Sequence, residues 1–552
     1  MTAPAHSGRF PVSAPVLVAA GFLLALAAWS LPVNLKSISP ALLREAGAGT
    51  PTLAQYGQQL VESEKIGPAA LTLAAARAVQ DPGTPALTQS LASLSAHTPE
   101  MVAWGGWDPF LDPLFNLREN RGRTASTPVL AFFITERARE TLRGYLAQSR
   151  SLGVQALLRT HDLAATGRFV PANRPGGQPL DAVILLAALL YQGEHLAPPL
   201  QRDLRALAET AVAQKELGEL EPVYLDLLSL GRRLDWAQLG ELLRRTDDTK
   251  TLAEFAHLAR VAPDELPLIY ASALFSGSAD HVAAYLIKFG KTGLSDLRLA
   301  AALGQGSVNQ LLLWQVPVNH GAGSGLGAAA ALVILHPNVM IVLKYLGYLL
   351  GAYLVFRGLD RWIVPPGTTV TLGLPRMKSG VLALLFAAML VVVTEPFLLK
   401  AAPLSEYRFR LVLPALVATA SPPAPSPAKN LPTMDASTLI SIGLFAALQV
   451  AMYFTCLLKI REVHRSGLPP LVKLRLMENE ENLFDGGLYV GIGGTATALV
   501  LQVLGVIEPN LLAAYSSNLF GITCVALVKI RHVRPFKRQL ILDSQAPSAA
   551  AS

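Results

Sequence analysis

The chain has 552 residues, of which 51% are hydrophobic and only 15% are charged, and its mean hydropathy is +0.39. This composition is too apolar for an ordinary soluble protein and predicts a polytopic membrane protein. The formal net charge of +7 could indicate nucleic-acid binding, but the basic residues cluster beside apolar runs, so we predict no nucleic-acid partner. The only two cysteines, Cys456 and Cys524, lie within apolar runs, which excludes a disulfide scaffold.

Six apolar runs approach the ~20 residues that a bilayer-spanning helix needs. They are 15–32, a part of 325–356, 379–399, 439–458, 486–507 and 511–528. In the second run Pro337 favours a helix that begins at about that residue, after an apolar approach segment. Basic clusters in 357–378, in 459–485 and in the tail place these segments and both termini in the cytoplasm. We therefore predict a multi-pass protein of the inner cell membrane, in contact with the lipid bilayer.

The first apolar run, within residues 1–35, is predicted to be an uncleaved signal anchor. Ala25, Leu26 and Ala27 resemble the small-residue pattern of a signal-peptidase site. That pattern lies inside the apolar stretch, where cleavage is disfavoured. A cleaved signal peptide remains the alternative, and either interpretation leaves the following region outside the membrane.

Residues 36–324 are predicted to form a large extracytoplasmic α-helical domain. Short segments with a 3.6-residue apolar period are separated by Gly, Pro or Asp, which is typical of stacked helical hairpins in a solenoid-like domain. His161 beside Asp162 and Glu194 beside His195 are the most suggestive pairs, but helix neighbours point about 100° apart, so we interpret them as solvated helix faces. The sequence contains no HExxH, GxSxG or P-loop motif, so we predict that the protein is not an enzyme and has no catalytic residue, metal or cofactor. A stack of helices more readily offers a surface for a partner, so we predict that this domain binds a protein client outside the cytoplasm.

Residues 325–437 are predicted to hold the second and third spans and a proline-rich outer linker. Lys344 and Glu395 are the ionisable residues expected inside these spans, at similar depths. They could form an intramembrane ion pair, because paired charges cost less than isolated ones, or each could extend separately to the interface.

The last two runs form a hairpin that is rich in small and polar residues. These are Gly487, Gly491, Gly494, Thr495 and Gln502 in the first helix and Ser516, Asn518, Gly521 and Thr523 in the second. Such side chains in a membrane usually face protein or water. Counted from the ends of the two runs at ~1.5 Å per residue, Thr495 and Thr523 share one depth, and Gln502 and Ser516 share another.

Three features of this hairpin carry a family resemblance. They are the sequence GIGGT at residues 491–495, the Pro-containing turn 508–510, and Thr523 close to Gly521. The segment 438–540 resembles the MotA/TolQ/ExbB proton-channel family. The resemblance implies that Thr495 and Thr523 line an ion path. It also implies a homopentamer around a single-span partner of the ExbD/TolR/MotB type that carries a membrane aspartate.

The channel hypothesis also gives roles to the other small and polar residues of the hairpin. Gln502, Ser516 and Asn518 are expected to line the channel, and the glycines Gly487, Gly491, Gly494 and Gly521 to permit close helix packing. Asn518 stands where the TolQ and ExbB branch commonly has an acidic residue. No carboxylate lies within the fourth, fifth or sixth predicted span, so the chain has no group of its own there to take and release a proton.

Three functional hypotheses follow from the sequence. The first is a channel subunit that couples the ion gradient to work in the envelope, with the outer domain binding a client. The second is a non-conducting membrane receptor or assembly scaffold in which the small residues serve packing alone. A third is an enzyme or transporter that uses Lys344 and Glu395. The last residues, 541–552, are predicted to be a disordered cytoplasmic tail.

Overall fold

The computed structural model describes residues 14–115, 125–320, 327–363, 374–395, 397, 407, 436–503 and 511–549. Within these ranges the chain forms helices and two isolated β-bridges, with no β-strand. The all-α prediction is therefore confirmed. The expected outer linker, apart from Tyr407, and the turn 508–510 lie outside the described residues.

The N-terminal and central helices are α1 (Ala14–Trp29), α2 (Pro40–Gly47), α3 (Leu53–Glu62), α4 (Ile66–Ala78), α5 (Thr84–His97), α6 (Pro99–Val102), α7 (Asp112–Phe115), α8 (Val129–Phe133), α9 (Glu136–Ala147), α10 (Leu152–Arg159), α11 (Gln178–Gln192), α12 (Pro198–Gln214), α13 (Leu220–Gly231), α14 (Trp236–Leu243), α15 (Thr249–Val261), α16 (Leu266–Ser276), α17 (Ala279–Leu303) and α18 (Gln305–Trp314). The remaining helices are α19 (Gly327–Leu335), α20 (Pro337–Ile363), α21 (Leu374–Thr394), α22 (Ala436–Arg465), α23 (Pro470–Asn479), α24 (Glu481–Phe484), α25 (Gly486–Val503), α26 (Leu511–Ala526) and α27 (Arg534–Ala549).

The chain divides into two compact units. The first comprises residues 1–42, 319–403 and 417–552, and the second comprises 43–318 and 404–416. The second unit corresponds closely to the predicted domain 36–324. We call the first the bundle unit and the second the helical unit.

Two helices of the helical unit, α11 and α16, are buried on all sides. Every residue of α11 from Leu180 to Leu190 is buried, and so is every residue of α16 from Leu268 to Phe275. A helix that is apolar all round must be surrounded by neighbours. Accordingly, α11 contacts α8, α9, α10 and α13, while α16 contacts α3, α4, α14, α17 and α18.

The helical unit is closed, because its first helices pack against its last ones. The Tyr56 hydroxyl on α3 donates a hydrogen bond to the Leu274 carbonyl on α16 at 3.2 Å. Near the ends of the unit, a Cβ added at Gly47 would overlap the Leu303 carbonyl oxygen. In a solenoid each repeat contacts only its neighbours. The arrangement therefore differs from the predicted solenoid, because the all-round apolar α11 and α16 require a central position.

The bundle unit contains helices at all six predicted spans. Helix α20 begins at Pro337 as predicted, since proline favours the first helical position. Among the described residues, one helical stretch, Pro337–Trp362, has the length and composition to cross a membrane, and the apolar stretches Ala14–Trp29 and Ser379–Val391 are shorter. The presence of six spans stays a prediction.

The C-terminal segment differs from the predicted disordered tail. Helix α26 continues through a π-helical turn, Leu527–Val533, into α27, which ends at Ala549. Leu540 of α27 is buried in the same apolar cluster as Val463 of α22 and Met477 of α23. Because α27 packs against α23, the chain remains helical beyond residue 541.

Candidate functional site

The hairpin of α25 and α26 is held together through glycines. A Cβ added at Gly521 would lie 2.6 Å from the Gly487 carbonyl oxygen, and one at Gly491 would lie 3.0 Å from the Ser517 carbonyl oxygen. A Cβ at Gly494 would lie 2.5 Å from the Ser517 Oγ, which itself donates a hydrogen bond to the Gly491 carbonyl at 3.2 Å. All four predicted packing glycines thus face neighbouring helices of their own chain.

A third helix, α22, enters this seam through Gln449. The residue is only 5% exposed, and its Nε2 donates a hydrogen bond to the Gly487 carbonyl at 3.0 Å. The Cys524 thiol on α26 donates to the Gln449 carbonyl at 3.5 Å. Gln449 was not among the predicted site residues, although an amide in the middle of an apolar run was the available signal.

Two amide oxygens in this three-helix region lack a hydrogen-bond partner. They are the Oε1 of Gln449 and the Oδ1 of Asn518, both buried, within the part of the chain that the structure describes. A Cβ added at Gly487 would lie 3.2 Å from the Gln449 Oε1, so this oxygen points at the glycine seam. The seam is therefore polar where Gln449 enters it beside Gly487.

Both predicted channel threonines bond to their own helices. The Thr495 hydroxyl donates to the Gly491 carbonyl at 3.0 Å, and the Thr523 hydroxyl donates to the Leu519 carbonyl at 2.9 Å. Thr495 is half-buried, whereas Thr523 lies on the exposed face of α26. Such bonds run to the carbonyl one turn earlier on the same helix, a common arrangement for hydroxyl side chains in helices.

The two threonines do not share a depth, and that expectation was wrong. Gly494 lies opposite Ser517 and Gly487 lies opposite Cys524, so this register places Thr523 about seven residues, or ~10 Å, from the level of Thr495. The close glycine contacts set the register, whereas the expectation was counted from helix ends.

The same register places Thr495 close to the level of Ser516, a predicted channel-lining residue that is partly exposed. Gln502 lies seven residues beyond Thr495 on α25, so the register places it ~10 Å from the level of Ser516, and the expectation that these two residues share a depth was also wrong. The side chain of Gln502 lies outside the described residues.

The structure brings the predicted pair Lys344 and Glu395 together. The Lys344 Nζ lies 3.4 Å from the Glu395 Oε1, and the two side chains are 3% and 2% exposed. The Lys344 ammonium also donates to the Val33 carbonyl at 2.6 Å and to the Asn34 Oδ1 at 2.7 Å. Three acceptors thus match the three donors of the ammonium group.

The carboxylate of this cluster is equally well satisfied. The Glu395 Oε1 accepts a hydrogen bond from the Tyr345 hydroxyl, and its Oε2 accepts one from the Leu35 backbone N–H at 3.0 Å. The cluster therefore joins the segment after α1 to both α20 and the end of α21. Its geometry is that of a buried ion pair in which both charged groups are also hydrogen-bonded to neighbouring segments, which fixes the positions of those segments.

Helix α1 packs along α20 at closely approaching backbones. A Cβ added at Gly21 would lie 2.6 Å from the Gly351 carbonyl oxygen, and one at Gly347 would lie 2.7 Å from the Cβ of Ala28. A Cβ at Gly358 would meet the Val18 side chain at 2.7 Å. Glycines on α20 thus admit α1 over most of its length.

In the helical unit, His195 is buried, so its interpretation as part of a solvated helix face was wrong. The residue is 7% exposed, its Nε2 lies 3.1 Å from Asp108, and its ring packs edge-on against Trp236. The Arg244 guanidinium lies 2.8 Å from its Nδ1. Tertiary contacts from distant segments, which local periodicity does not reveal, enclose this imidazole.

His161 belongs to a cluster around the buried Asp181. The Asp181 carboxylate accepts hydrogen bonds from Arg139 at 2.7 Å and from Arg143 at 2.9 Å, and the His161 Nε2 lies 3.3 Å away. Burial alone would raise the pKa of Asp181, but the hydrogen bonds from these three groups lower it to about 2. The hydrogen bond with Asp181 raises the pKa of His161.

Asp235 is an almost fully buried acid of the helical unit, with 1% of its surface exposed. Its carboxylate caps α14 by accepting from the Gln238 backbone N–H at 2.8 Å, and it accepts from the Ser126 hydroxyl at 2.6 Å. A Cβ added at Gly67 or Gly105 would overlap the oxygens of Asp235, so glycine is needed at both positions. Burial raises the pKa of Asp235 to about 7, despite these hydrogen bonds.

No protein-family model, no curated protein and no solved structure was found to match this chain.

Proposed function

We propose that this chain is a non-conducting scaffold of the inner membrane, in which the bundle unit anchors the helical unit and the helical unit binds a protein client outside the cytoplasm. The bundle unit crosses the bilayer six times with both termini inside. Basic clusters beside the apolar helices support this orientation. The close packing of α1 against glycines of α20 supports retention of α1 as an anchor, because its removal would expose that glycine surface.

One observation carries the scaffold function: the small residues of the hairpin are used within one chain. Gly487, Gly491, Gly494 and Gly521 each approach another helix of the same three-helix region. The two threonine hydroxyls bond to their own backbones at levels ~10 Å apart. This arrangement accounts for the glycine stripe by packing alone.

The mass of the native complex tests the scaffold. We expect the purified complex to contain no ring of five copies around smaller single-span chains, and liposomes that contain it to show no proton flux above empty liposomes. A fivefold assembly with a single-span, aspartate-bearing partner would overturn the proposal.

A second candidate is a channel subunit of the MotA/TolQ/ExbB type, and one observation favours it. Thr523 shares the exposed face of α26 with Tyr515, Leu519 and Ile522, a face that another subunit could cover. The channel would then form between chains. Under this candidate, Thr495→Val with Thr523→Val abolishes proton flux and leaves assembly intact. Under the scaffold proposal, the double variant binds its client as the wild type does. The same double variant therefore separates the channel candidate from the scaffold proposal.

A further inference from the structure

One exposed face runs along α26 and the π-helical turn into α27, and it changes from apolar to basic. Its apolar part consists of four exposed side chains: Leu519, Ile522, Leu527 and Ile530. Arg531 follows Ile530 directly, and Arg534 lies at the start of α27; both are exposed. A single helix surface thus presents an apolar stretch that ends at two cations.

The burial of the intervening residues shows that these side chains share a face. Val528 and Val533 are both buried in the apolar cluster of the bundle unit. Within the π-helical turn Leu527–Val533, residues five apart lie near the same face, so both valines point inward. Ile530 and Arg531 lie midway between them and therefore point outward. Arg534 is three residues after Arg531, so the two are neighbours on the helix surface.

The two arginines carry charge that the protein itself does not neutralise. The lysines beside them are paired, Lys529 with Asp485 at 2.7 Å and Lys537 with Glu481 at 4.0 Å. Neither Arg531 nor Arg534 has a carboxylate partner among the described residues.

The adjoining apolar face distinguishes these arginines from other exposed arginines of the chain. Arg202 and Arg232 in the helical unit are also exposed. However, no large apolar side chain between Val170 and Val261 is exposed. At Arg531, by contrast, the preceding residue Ile530 is 66% exposed. A ligand of this face must therefore be both apolar and anionic.

The length of the apolar part matches one leaflet of a bilayer. From Leu519 to Ile530 the helix advances eleven residues, or ~16 Å at ~1.5 Å per residue. The hydrocarbon core of a bilayer is ~30 Å thick, so one leaflet contributes ~15 Å. A phospholipid whose acyl chain lies along this part would hold its phosphate at Arg531 and Arg534. Arginine binds phosphate through paired, charge-assisted hydrogen bonds.

We propose that this face binds an anionic phospholipid, with an acyl chain against Leu527 and Ile530 and the phosphate between Arg531 and Arg534. The inference rests on the membrane placement in the proposed function and identifies the class of lipid that contacts the bundle unit beside α27. A zwitterionic headgroup carries a cationic group that the arginines repel, so charge favours an anionic headgroup. An acidic peptide would pair with the arginines but leave the apolar side chains uncovered.

The test counts the phospholipids that the full-length protein retains in mild detergent, measured by native mass spectrometry. The probes are phosphatidylglycerol and phosphatidylcholine with identical acyl chains, and we expect phosphatidylglycerol to bind more tightly. Arg531→Gln with Arg534→Gln should weaken phosphatidylglycerol binding about 25-fold, because each basic residue near an anionic headgroup contributes about fivefold. This variant should retain phosphatidylcholine as the wild type does.

The matched control is Arg465→Gln with Arg538→Gln, which removes the same charge at exposed sites of the bundle unit. Arg538 lies eight residues, or ~12 Å, beyond Ile530. Arg465 lies eleven residues, or ~16 Å, beyond Phe454, the last exposed large apolar side chain of α22. Since neither arginine adjoins an exposed apolar face of its own helix, the control should bind phosphatidylglycerol as the wild type does.

The apolar part of the face is tested by Ile530→Gln, which should weaken the binding of both phospholipids alike. Because all these substitutions change exposed side chains, the unfolding temperature without added lipid should equal that of the wild type. Three results would each overturn the inference: equal binding of the two phospholipids by the wild type, equal losses in the two double variants, or unchanged binding in Ile530→Gln. Displacement of phosphatidylglycerol by an equal concentration of glycerol phosphate would assign the arginines to a free phosphate and overturn the lipid site.

The scaffold is tested separately by cross-linking of clients to the wild type in cells. A cross-linked client, together with equal binding of the two phospholipids, would overturn the lipid site and leave the scaffold standing. Preferential binding of phosphatidylglycerol without any cross-linked client would overturn the scaffold and support the lipid site.

Discussion

The buried pair of Lys344 and Glu395 makes a sharp stability prediction. Lys344→Met removes the ammonium but keeps an unbranched side chain of similar length. The decrease in the free energy of unfolding therefore measures the effect of the lost charge and not that of a cavity. Glu395 would then be 2% exposed with no cation beside it, retaining only the Tyr345 hydroxyl and the Leu35 N–H. Removing one partner of a buried ion pair costs ~3–5 kcal/mol, so we expect a loss of about 3 kcal/mol after allowance for these two hydrogen bonds.

The same substitution should cost less when the carboxylate is already neutral. In a Glu395→Gln background, the Lys344 ammonium is already buried without a carboxylate partner. Lys344→Met then removes this unpaired charge, although it also removes the hydrogen bonds of the ammonium to Val33 and Asn34. We expect the loss on Lys344→Met in this background to be smaller by about 2 kcal/mol, which is the coupling energy of the pair.

The assay is unfolding of the full chain in lipid or mild detergent. The wild type, the two single variants and the double variant of Lys344 and Glu395 form a double-mutant cycle and are measured together. Lys529→Met and Asp485→Asn supply a matched control in the bundle unit, because this pair has a short N–O distance of 2.7 Å but its side chains are 38% and 25% exposed. Its coupling should be at most ~1 kcal/mol. Equal losses on Lys344→Met in the two backgrounds would refute the interpretation of a coupled buried pair.

Three further predictions concern packing and pH. Gly521→Ala should destabilise the hairpin by ~1–3 kcal/mol, because its Cβ would meet the Gly487 carbonyl. Gly493→Ala is the control: it has open space at its Cβ and should be neutral or stabilising in the same unfolding assay. Similar losses of stability in the two variants would contradict the packing argument. Because Asp235 has a pKa raised to about 7, its stabilising contribution is fully present below about pH 4 and is lost as the pH rises to about 7. Hydrogen exchange of α14 in the wild type should therefore accelerate relative to Asp235→Asn over that range, and a constant ratio would count against the raised pKa. The hydrogen bond with Asp181 raises the pKa of His161, so its stabilising contribution is fully present below about pH 6.5 and is lost as the pH rises through the folded-state pKa. The protection of α11 against hydrogen exchange, relative to that in His161→Gln, should therefore fall as the pH rises above about 6.5. A relative protection that rises with pH would exclude this pairing.

Sequence patterns determined the helical class and several individual helices, because these depend on local periodicity. The start of α20 at Pro337 followed from the fixed backbone geometry of proline. The similar depths of Lys344 and Glu395 followed from counting along short segments, and the structure places the two groups in contact. The bounds predicted for the second domain, 36–324, lie close to the 43–318 segment of the helical unit, since the polarity of this region differs from that of the flanking apolar runs. Its placement outside the cytoplasm stays a prediction.

Tertiary structure decided how these pieces meet. The closure of the helical unit depends on contacts between α4 and α16, which are separated by almost 200 residues, and the burial of His195 depends on Asp108 and Trp236 from other segments. The register of the hairpin is fixed by atomic contacts at glycines and not by helix length. Local sequence gives the period of a helix and the identity of its faces, but the partner of each face is selected by packing across the whole chain, which only the folded structure contains.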